Sequence, residues 1–105
     1  MDNKQATLNF LGLAQRARKT VSGQEILLSE LRANKLRFLF IASDSGKDTF
    51  KKFTDKSKSY NVPTNTMFTG EELSDAVGMK RSLIGISDPG MAKKLIELTN
   101  KLKGE

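Results

Sequence analysis

The residues of this chain that could carry chemistry are mainly its cations. The sequence has 18 Lys and Arg against 12 Asp and Glu, and it contains neither His nor Cys. Without an imidazole or a thiol, the chain has no Ser-His-Asp triad, no thiolate nucleophile and no zinc site of the usual ligands. No pair of carboxylates suggests acid–base catalysis either. Composition therefore predicts a protein that is not an enzyme and that uses no metal or other cofactor.

Six cations lie at the ends of apolar segments, where turns are expected. In a sheet with alternating helices, several of these turns would open on one edge, beside helix N-termini whose N–H groups bind phosphate. The formal net charge of +6 and a pI of about 9.7 are typical of a nucleic-acid-binding domain. The alternative is that the cations are ordinary solvated charges. The six cations are Arg16, Arg18, Lys19, Lys47, Lys80 and Arg81.

A polar turn, Ser22-Gly23-Gln24-Glu25, follows the first group of cations. Its S-x-x-E form predicts a capping box that opens a helix. The same residues could also contact a ligand, and the two roles are compatible.

Two further motifs give weaker signals. Ser45-Gly46-Lys47-Asp48-Thr49 resembles the end of a P-loop, but Ile41 stands where the pattern needs Gly, and Asp48 where it needs Ser or Thr. Nucleotide hydrolysis is therefore not expected. Asp44 follows a buried strand, where it is expected to serve as a turn residue or a helix cap.

Hydrophobic periodicity predicts the elements that position these residues. Helices are expected where apolar residues recur at helical spacing, and strands where short apolar runs stand between turns. The predicted order is a helix over residues 3–17, a short strand at 20–21, a helix over 23–33, a strand over 38–42, a helix capped by Ser45 or Asp48 and ended before Pro63, a weak strand over 64–68, a short helix capped by Thr69 and closed by Gly78, a strand over 82–87, and a last helix capped by Asp88.

This alternation predicts an α/β fold, a three-layer α/β/α sandwich with a small central mixed sheet. The 105 residues fit a single domain over 1–105. No signal peptide is evident, and no apolar run approaches the roughly 18 residues of a membrane span. Together with the absence of Cys, which suits a reducing compartment, this predicts a cytoplasmic protein that does not engage a membrane.

Several segments together resemble a known family. They are the glycine-led turn, helix and buried strand from Thr20 to Asp44, the segment Tyr60-Asn61-Val62-Pro63, and residues 72–78. These segments resemble the kink-turn-binding ribosomal protein superfamily, which includes the archaeal L-seven-Ae protein. The segment from Leu11 to Gly23 is closer still to the YlxQ branch, a group of small bacterial proteins.

The resemblance implies RNA binding without catalysis. Family members use the turn at the start of the second helix to contact the sheared G·A pairs of a kink-turn; it corresponds to Gly23, Gln24 and Glu25. They cover flipped-out bases with an apolar loop before the last strand, which corresponds to residues 77–81. With Gly23 matched without gaps, Glu25 takes the position of the family's Asn, and Ile26 that of its Glu. A match shifted by one residue places Gln24 and Glu25 at the Asn and Glu positions, but it needs an insertion before the buried strand. The expected RNA-binding residues are Arg16, Arg18, Lys19, Ser22, Gly23, Gln24, Glu25, Lys47, Met79, Lys80 and Arg81.

Lys80 and Arg81 make the second loop cationic where the kink-turn binders are apolar. The residues therefore favour binding of structured or ribosomal RNA over strict kink-turn specificity. The alternative hypothesis is a protein-interaction module that docks to a ribosomal protein or a translation factor. A surface patch of apolar residues such as Met67, Phe68 or Met79 would favour that alternative.

Overall fold

Helices and strands alternate along the chain, as the hydrophobic periodicity predicts. The structure is a computed structural model that describes residues 2–104. None of its helices within that range combines the length and apolarity needed to cross a bilayer. The elements are α1 (Asn3–Arg16), β1 (Thr20–Val21), α2 (Gln24–Arg32), β2 (Phe38–Ile41), α3 (Lys47–Ser59), β3 (Thr64–Asn65), α4 (Gly70–Val77), β4 (Leu83–Ile86) and α5 (Pro89–Lys103).

The four strands form one mixed sheet in the order β1-β4-β2-β3. Strand β4 is antiparallel to β1 and β2, whereas β3 is parallel to β2. One edge, where β1 and β2 end and β4 begins, comprises residues 22–24, 42–47 and 80–83 and is named the Gly23 edge. The opposite edge comprises residues 17–20, 33–38 and 86–89 and is named the Lys19 edge.

Successive residues of β2 face opposite layers of helices. Phe38 and Phe40 pack in a core formed with α1, α4 and α5, whereas Leu39 and Ile41 pack in a second core formed with α2 and α3. Because both faces of the sheet are covered, the two central strands, β2 and β4, are buried along their whole length and carry almost only apolar side chains. The predicted three-layer sandwich is confirmed.

Gly85 lets α2 pack directly against β4. A Cβ atom at this position would lie 2.6 Å from Leu27 Cδ2 and 2.7 Å from Leu36 Cδ1. These distances are shorter than van der Waals contact, so a larger residue would push α2 away from the sheet. The close approach brings Leu27 of α2 and Leu36 of the following loop against β4.

Two of the predicted caps are confirmed. Thr69 caps α4, and its side chain and that of Glu72 form the reciprocal bonds of a capping box. Asp88 caps α5 by accepting a hydrogen bond from the N–H of Met91, with Pro89 in the first turn. Gly78, in the left-handed conformation at φ 76°, closes α4 as predicted.

Two other predicted caps are wrong. Gly23, and not Ser22, is the N-cap of α2, and Gly46 is the N-cap of α3; neither helix has a side-chain cap bond. The hydroxyl of Ser45 donates instead to the carbonyl oxygen of Ala42 at 2.8 Å. The hydroxyl of Ser22 accepts a hydrogen bond from the side chain of Arg81.

Strand β3 is shorter than predicted. The Asn65 side chain accepts a hydrogen bond from the N–H of Met67 at 3.1 Å. This turn ends the strand after two residues and directs Phe68, which is 1% exposed, into the core.

Candidate nucleic-acid interface

Gly23 gives α2 an open N-terminal turn. Its backbone, at φ 95° and ψ 130°, lies in a region that residues with a Cβ atom disfavour. The first helical hydrogen bond runs from the N–H of Leu27 to the carbonyl oxygen of Gly23 at 3.0 Å. The N–H groups of residues 24–26 therefore precede the helical ladder, and no side-chain cap satisfies them.

Helix α3 begins in the same way, beside α2. Its N-cap is Gly46, whose carbonyl oxygen accepts from the N–H of Phe50 at 2.9 Å. The amide of Gln24 donates to the hydroxyl of Thr49 at 3.5 Å, which places the first turns of α2 and α3 side by side. Lys47, the first residue of α3, is exposed. Two helix N-termini and Lys47 favour an anion here, while Glu25 and Asp48 place a carboxylate in each of the same two first turns.

Arg81 joins the loop before β4 to the turn before α2. Its Nε–H donates to the hydroxyl of Ser22 at 3.0 Å, and its Nη1 donates to the carbonyl oxygen of Lys80 at 2.8 Å. The hydroxyl of Ser74, on α4, accepts from the N–H of Arg81 at 2.8 Å and donates to its carbonyl oxygen at 3.0 Å. The loop over residues 78–81 is therefore held between α4 and the Gly23 turn.

A depression at the Gly23 edge unites the predicted turn with the predicted cationic loop. Lys80 is exposed there. The ion pairs within residues 2–104 are Lys4–Glu72 and Lys51–Asp55, so neither involves a cation of this edge. The depression is lined by Ser22, Gly23, Gln24, Lys80, Arg81, Ser82 and Leu83.

Carboxylates limit the cationic region on the side of α4. Asp44, Glu71 and Asp75 line an adjoining depression together with Lys80 and Arg81. Asp44, which the sequence predicts as a turn residue or a cap of the next helix, accepts a hydrogen bond from the N–H of Gly70 at 2.8 Å, in the first turn of α4, and does not cap α3. An anion would be repelled there.

The expected gathering of all six cations at one edge is not observed. Arg16 lines a groove between α1 and α4, together with Glu72 and Asp75. Arg18 and Lys19 line a depression at the Lys19 edge, because strand β1 carries the chain from that edge to the Gly23 edge. The structure therefore brings Lys47, Lys80 and Arg81 to the Gly23 turn and leaves the other three cations elsewhere.

Three exposed side chains flank the Gly23 turn. Glu25 lies in the first turn of α2 and is exposed. Met79 is 41% exposed, and its sulfur accepts a bond from Arg81 Nη2 at 3.5 Å. Ile26, which the resemblance places at the position of the family's Glu, is 57% exposed. The i, i+4 spacing of Leu27 and Leu31 marks the buried face, and Ile26 lies outside it.

The sequence has curated relatives along most of its length, although no family model matches it. It is 40% identical over 96 residues to the RNA-binding protein YlxQ of Enterococcus faecium, which covers 91% of this chain and 93% of that protein. It is 37% identical over 90 residues to the RNA-binding protein YlxQ of Bacillus subtilis (strain 168), with coverage of 85% and 90%. These relatives are named for binding and not for catalysis, in agreement with the predicted absence of enzymatic activity.

Two solved structures share the fold. A Bacillus halodurans protein of unknown function is 34% identical, with a TM-score of 0.85 over 90% of this chain and 96% of that chain. The 15.5-kDa RNA-binding protein of Giardia lamblia is 14% identical, with a TM-score of 0.77 over 99% of this chain and 91% of that chain. At 14% identity this second likeness concerns the fold alone.

Proposed function

The chain belongs to the YlxQ family, within the superfamily of kink-turn-binding ribosomal proteins, and from this premise we propose that it binds structured RNA at the Gly23 edge. The relatives are named RNA-binding proteins. The chain would act by binding alone, without chemistry on the RNA. Ribosomal RNA is a natural source of such structured segments for a member of this superfamily.

The observation that carries the proposal is the pairing of two uncapped helix N-termini. Each terminus presents unsatisfied N–H donors and a partial charge of about +0.5, an arrangement that suits phosphate oxygens. Gln24 and Thr49 join the two first turns, and neither Gly23 nor Gly46 offers a side chain that would compete with a ligand. Lys47 and Lys80 add full charges beside these turns.

The side chains around the turn favour RNA with unpaired or non-canonical bases. Gln24 can donate and accept hydrogen bonds at a base edge, whereas Glu25 only accepts, so it needs a base amino or imino group. Exposed Ile26 and Met79 offer apolar surface on which an unstacked base can lie. Such bases occur in internal loops and bulges, where proteins recognise RNA most specifically. A kink-turn is one RNA of this kind.

The test measures fluorescence anisotropy with labelled RNAs. The probes are a helix with an internal loop built as a kink-turn, a helix with an unrelated internal loop, and a fully paired duplex of the same length. We expect both internal-loop RNAs to bind more tightly than the duplex. Equal affinity for all three would contradict the base contacts, and a preference for the kink-turn would extend the proposal to that motif.

Variants at the edge test the proposed location. Lys47→Gln and Lys80→Gln should each weaken binding and reduce the slope of log affinity against log salt by about 1, because each removes one phosphate contact. Lys56→Gln, on the exposed side of α3, changes the net charge equally and is the matched control. If the three variants lower affinity equally, RNA does not bind at the Gly23 edge.

Docking to a ribosomal protein or a translation factor has less support. The exposed apolar residues Met67 and Met79 follow different elements, and Phe68 is buried. A patch that includes Phe68 is therefore excluded as the mark of a protein interface.

A further inference from the structure

The Lys19 edge, opposite to the proposed RNA site, carries its own group of cations. Strands β1 and β2 begin there, and helices α1 and α2 end there. Helix α3 ends nearby, since Pro63, which precedes β3, accepts a hydrogen bond from the N–H of Leu39 at 3.0 Å. The exposed cations at the edge or in the last turn of α2 are Arg18, Lys19, Arg32, Lys35 and Arg37.

The nearby carboxylates leave this edge with excess positive charge. Glu30 accepts a hydrogen bond from the hydroxyl of Ser87, and Asp88 accepts from the N–H of Met91 at 2.9 Å. Neither forms an ion pair with a cation of residues 2–104. The carbonyl ends of three helices contribute only about −0.5 elementary charge each. These negative charges are too small to balance the four cations of the Lys19 edge and Arg32.

The backbone at this edge contains one residue that is unfavourable for stability. The residue after the C-cap is left-handed at the ends of α1, α2 and α3, at Arg18 (φ 59°), Asn34 (φ 57°) and Asn61 (φ 57°). The next N–H bonds back to the helix, as in the bond from Lys19 to the carbonyl oxygen of Ala14 at 2.9 Å. Asn tolerates this conformation, whereas Arg is disfavoured. A functional role for the guanidinium would explain the choice of Arg18.

We propose that the Lys19 edge binds the phosphate backbone of a second RNA helix, so that one molecule bridges two RNA segments. The inference rests on the proposed RNA binding at the Gly23 edge. Strands β1, β2 and β4 run between the two edges, so the edges face opposite directions and one straight duplex cannot lie on both. The cations of the Lys19 edge are spread over several turns, with no open glycine-capped helix start beside them. They suit contacts to phosphates, without base recognition.

The experiment measures a complex of three components. The internal-loop RNA is immobilised and saturated with the full-length chain, and a labelled, fully paired RNA duplex is then added and its retention measured. We expect the bound chain to retain the duplex, with an affinity that falls steeply with salt. If the chain binds the immobilised RNA but retains no duplex, the second site is refuted and the proposed function stands. If the chain does not bind the immobilised RNA, the proposed function itself fails.

A matched pair of triple variants locates the second site. Replacing Arg18, Lys35 and Arg37 by Gln should reduce retention of the duplex at least tenfold, while affinity for the immobilised RNA stays within about twofold of wild type. The control replaces Lys52, Lys101 and Lys103 by Gln, which removes the same charge from exposed positions outside both edges. Equal losses in the two variants would show non-specific attraction and overturn the proposal.

Arg18→Gly separates binding from stability. Glycine adopts the left-handed conformation without steric cost, so the variant should unfold about 2–5 °C higher than wild type. It should also retain the duplex about threefold less well. The cations of this edge could instead only compensate the helix dipoles. In that case the variant with Arg18, Lys35 and Arg37 replaced by Gln will unfold at a lower temperature than wild type, and both it and Arg18→Gly will retain the duplex as wild type does. That result would overturn the proposal.

Discussion

At the scale of single residues, Arg81 acts through its hydrogen bonds as well as its charge. Its guanidinium donates to the hydroxyl of Ser22 at 3.0 Å, and its backbone bonds to the hydroxyl of Ser74. A free cation on this loop could contact phosphate from many positions, whereas Arg81 is oriented by these bonds. We therefore infer that Arg81 positions the Gly23 turn against the loop over residues 78–81. Lys80, which is exposed, adds a second positive charge on this loop.

Ser22→Ala tests this positioning role without changing any charge. Loss of the bond to Arg81 should weaken binding of the internal-loop RNA about three- to tenfold, because the turn and the loop are no longer held together. The slope of log affinity against log salt should stay constant, since the number of phosphate contacts is unchanged. Anisotropy titrations at several salt concentrations measure both quantities. Ser29→Ala, at an exposed position of α2, is the control, and an equal effect in both variants would exclude the positioning role.

The carboxylate of Glu72 makes stability depend on pH. Its pKa is lowered from 4.5 by the Lys4 ammonium, 2.5 Å away, and by the hydrogen bond from the N–H of Thr69. Because the pKa is lower in the folded state, the ionised group stabilises the fold above pH 4.5, and this stabilisation is lost as pH falls through the folded pKa.

Glu72→Gln should therefore reduce the free energy of unfolding by about 0.5–1 kcal/mol at neutral pH. Gln keeps an oxygen that can accept the bond from Thr69, so the variant removes mainly the charge. Urea denaturation at a series of pH values should show this difference shrinking at pH values below 4.5. Glu71→Gln removes the same charge one residue earlier, where no ion pair forms within residues 2–104. A difference that persists unchanged into acid would exclude the ion pair as its cause.

At the scale of elements, the sequence predicts the helices and strands well, and the caps of α4 and α5, but not how α2 and α3 begin. Apolar spacing is a property of each segment, so it locates α2 from Leu27 and Leu31 whatever the rest of the chain does. The cap is different, because the hydroxyl of Ser22 can bond either to its own helix or to a distant donor. Arg81 is 59 residues away in the chain, and its proximity follows from the antiparallel pairing of β1 with β4. Local pattern alone therefore predicts a capping box where the fold forms an open turn.

The packing of α1 on α4 gives a prediction at this scale. A Cβ atom at Gly12 would lie 2.9 Å from the carbonyl oxygen of Ala76, and a backbone atom cannot rotate away as a side chain can. Although Ala favours a helix by about 1 kcal/mol over Gly, Gly12→Ala should reduce the free energy of unfolding by about 1–2 kcal/mol, because the two helices must separate. Chemical denaturation measures the change.

Gly90→Ala is the control for this prediction. Its nearest neighbour would lie at an ordinary contact distance, 3.4 Å from Asp88 Oδ2, and it too lies in a helix. Gly90→Ala should therefore leave stability unchanged or slightly raised. Equal stability of the two variants would show that α1 and α4 tolerate a wider separation.

At the scale of the whole molecule, the charge of +6 is divided between faces, a division that the sequence does not reveal. Lys19 and Gly23 are four positions apart in the chain, yet β1 carries the backbone from one edge to the other between them. Lys80 is distant in sequence but shares a depression with Gly23. Strand direction determines which residues lie at the same edge, and it depends on pairing between segments that are distant in the sequence. Fold class and family were therefore predictable, while the grouping of the cations required the sheet.

This division predicts the salt dependence of RNA binding. If six cations contacted one RNA, the slope of log affinity against log salt would lie near −4 to −5, using about 0.7–0.9 per contact. The Gly23 edge brings together Lys47, Lys80 and Arg81, so the internal-loop RNA alone should give a slope of about −2 to −3. Titrations at salt concentrations between about 50 and 200 mM measure it. A slope near −5 that becomes less steep when Arg18, Lys35 and Arg37 are replaced by Gln would mean that one bent RNA contacts both edges. That result would contradict the bridging of two separate helices.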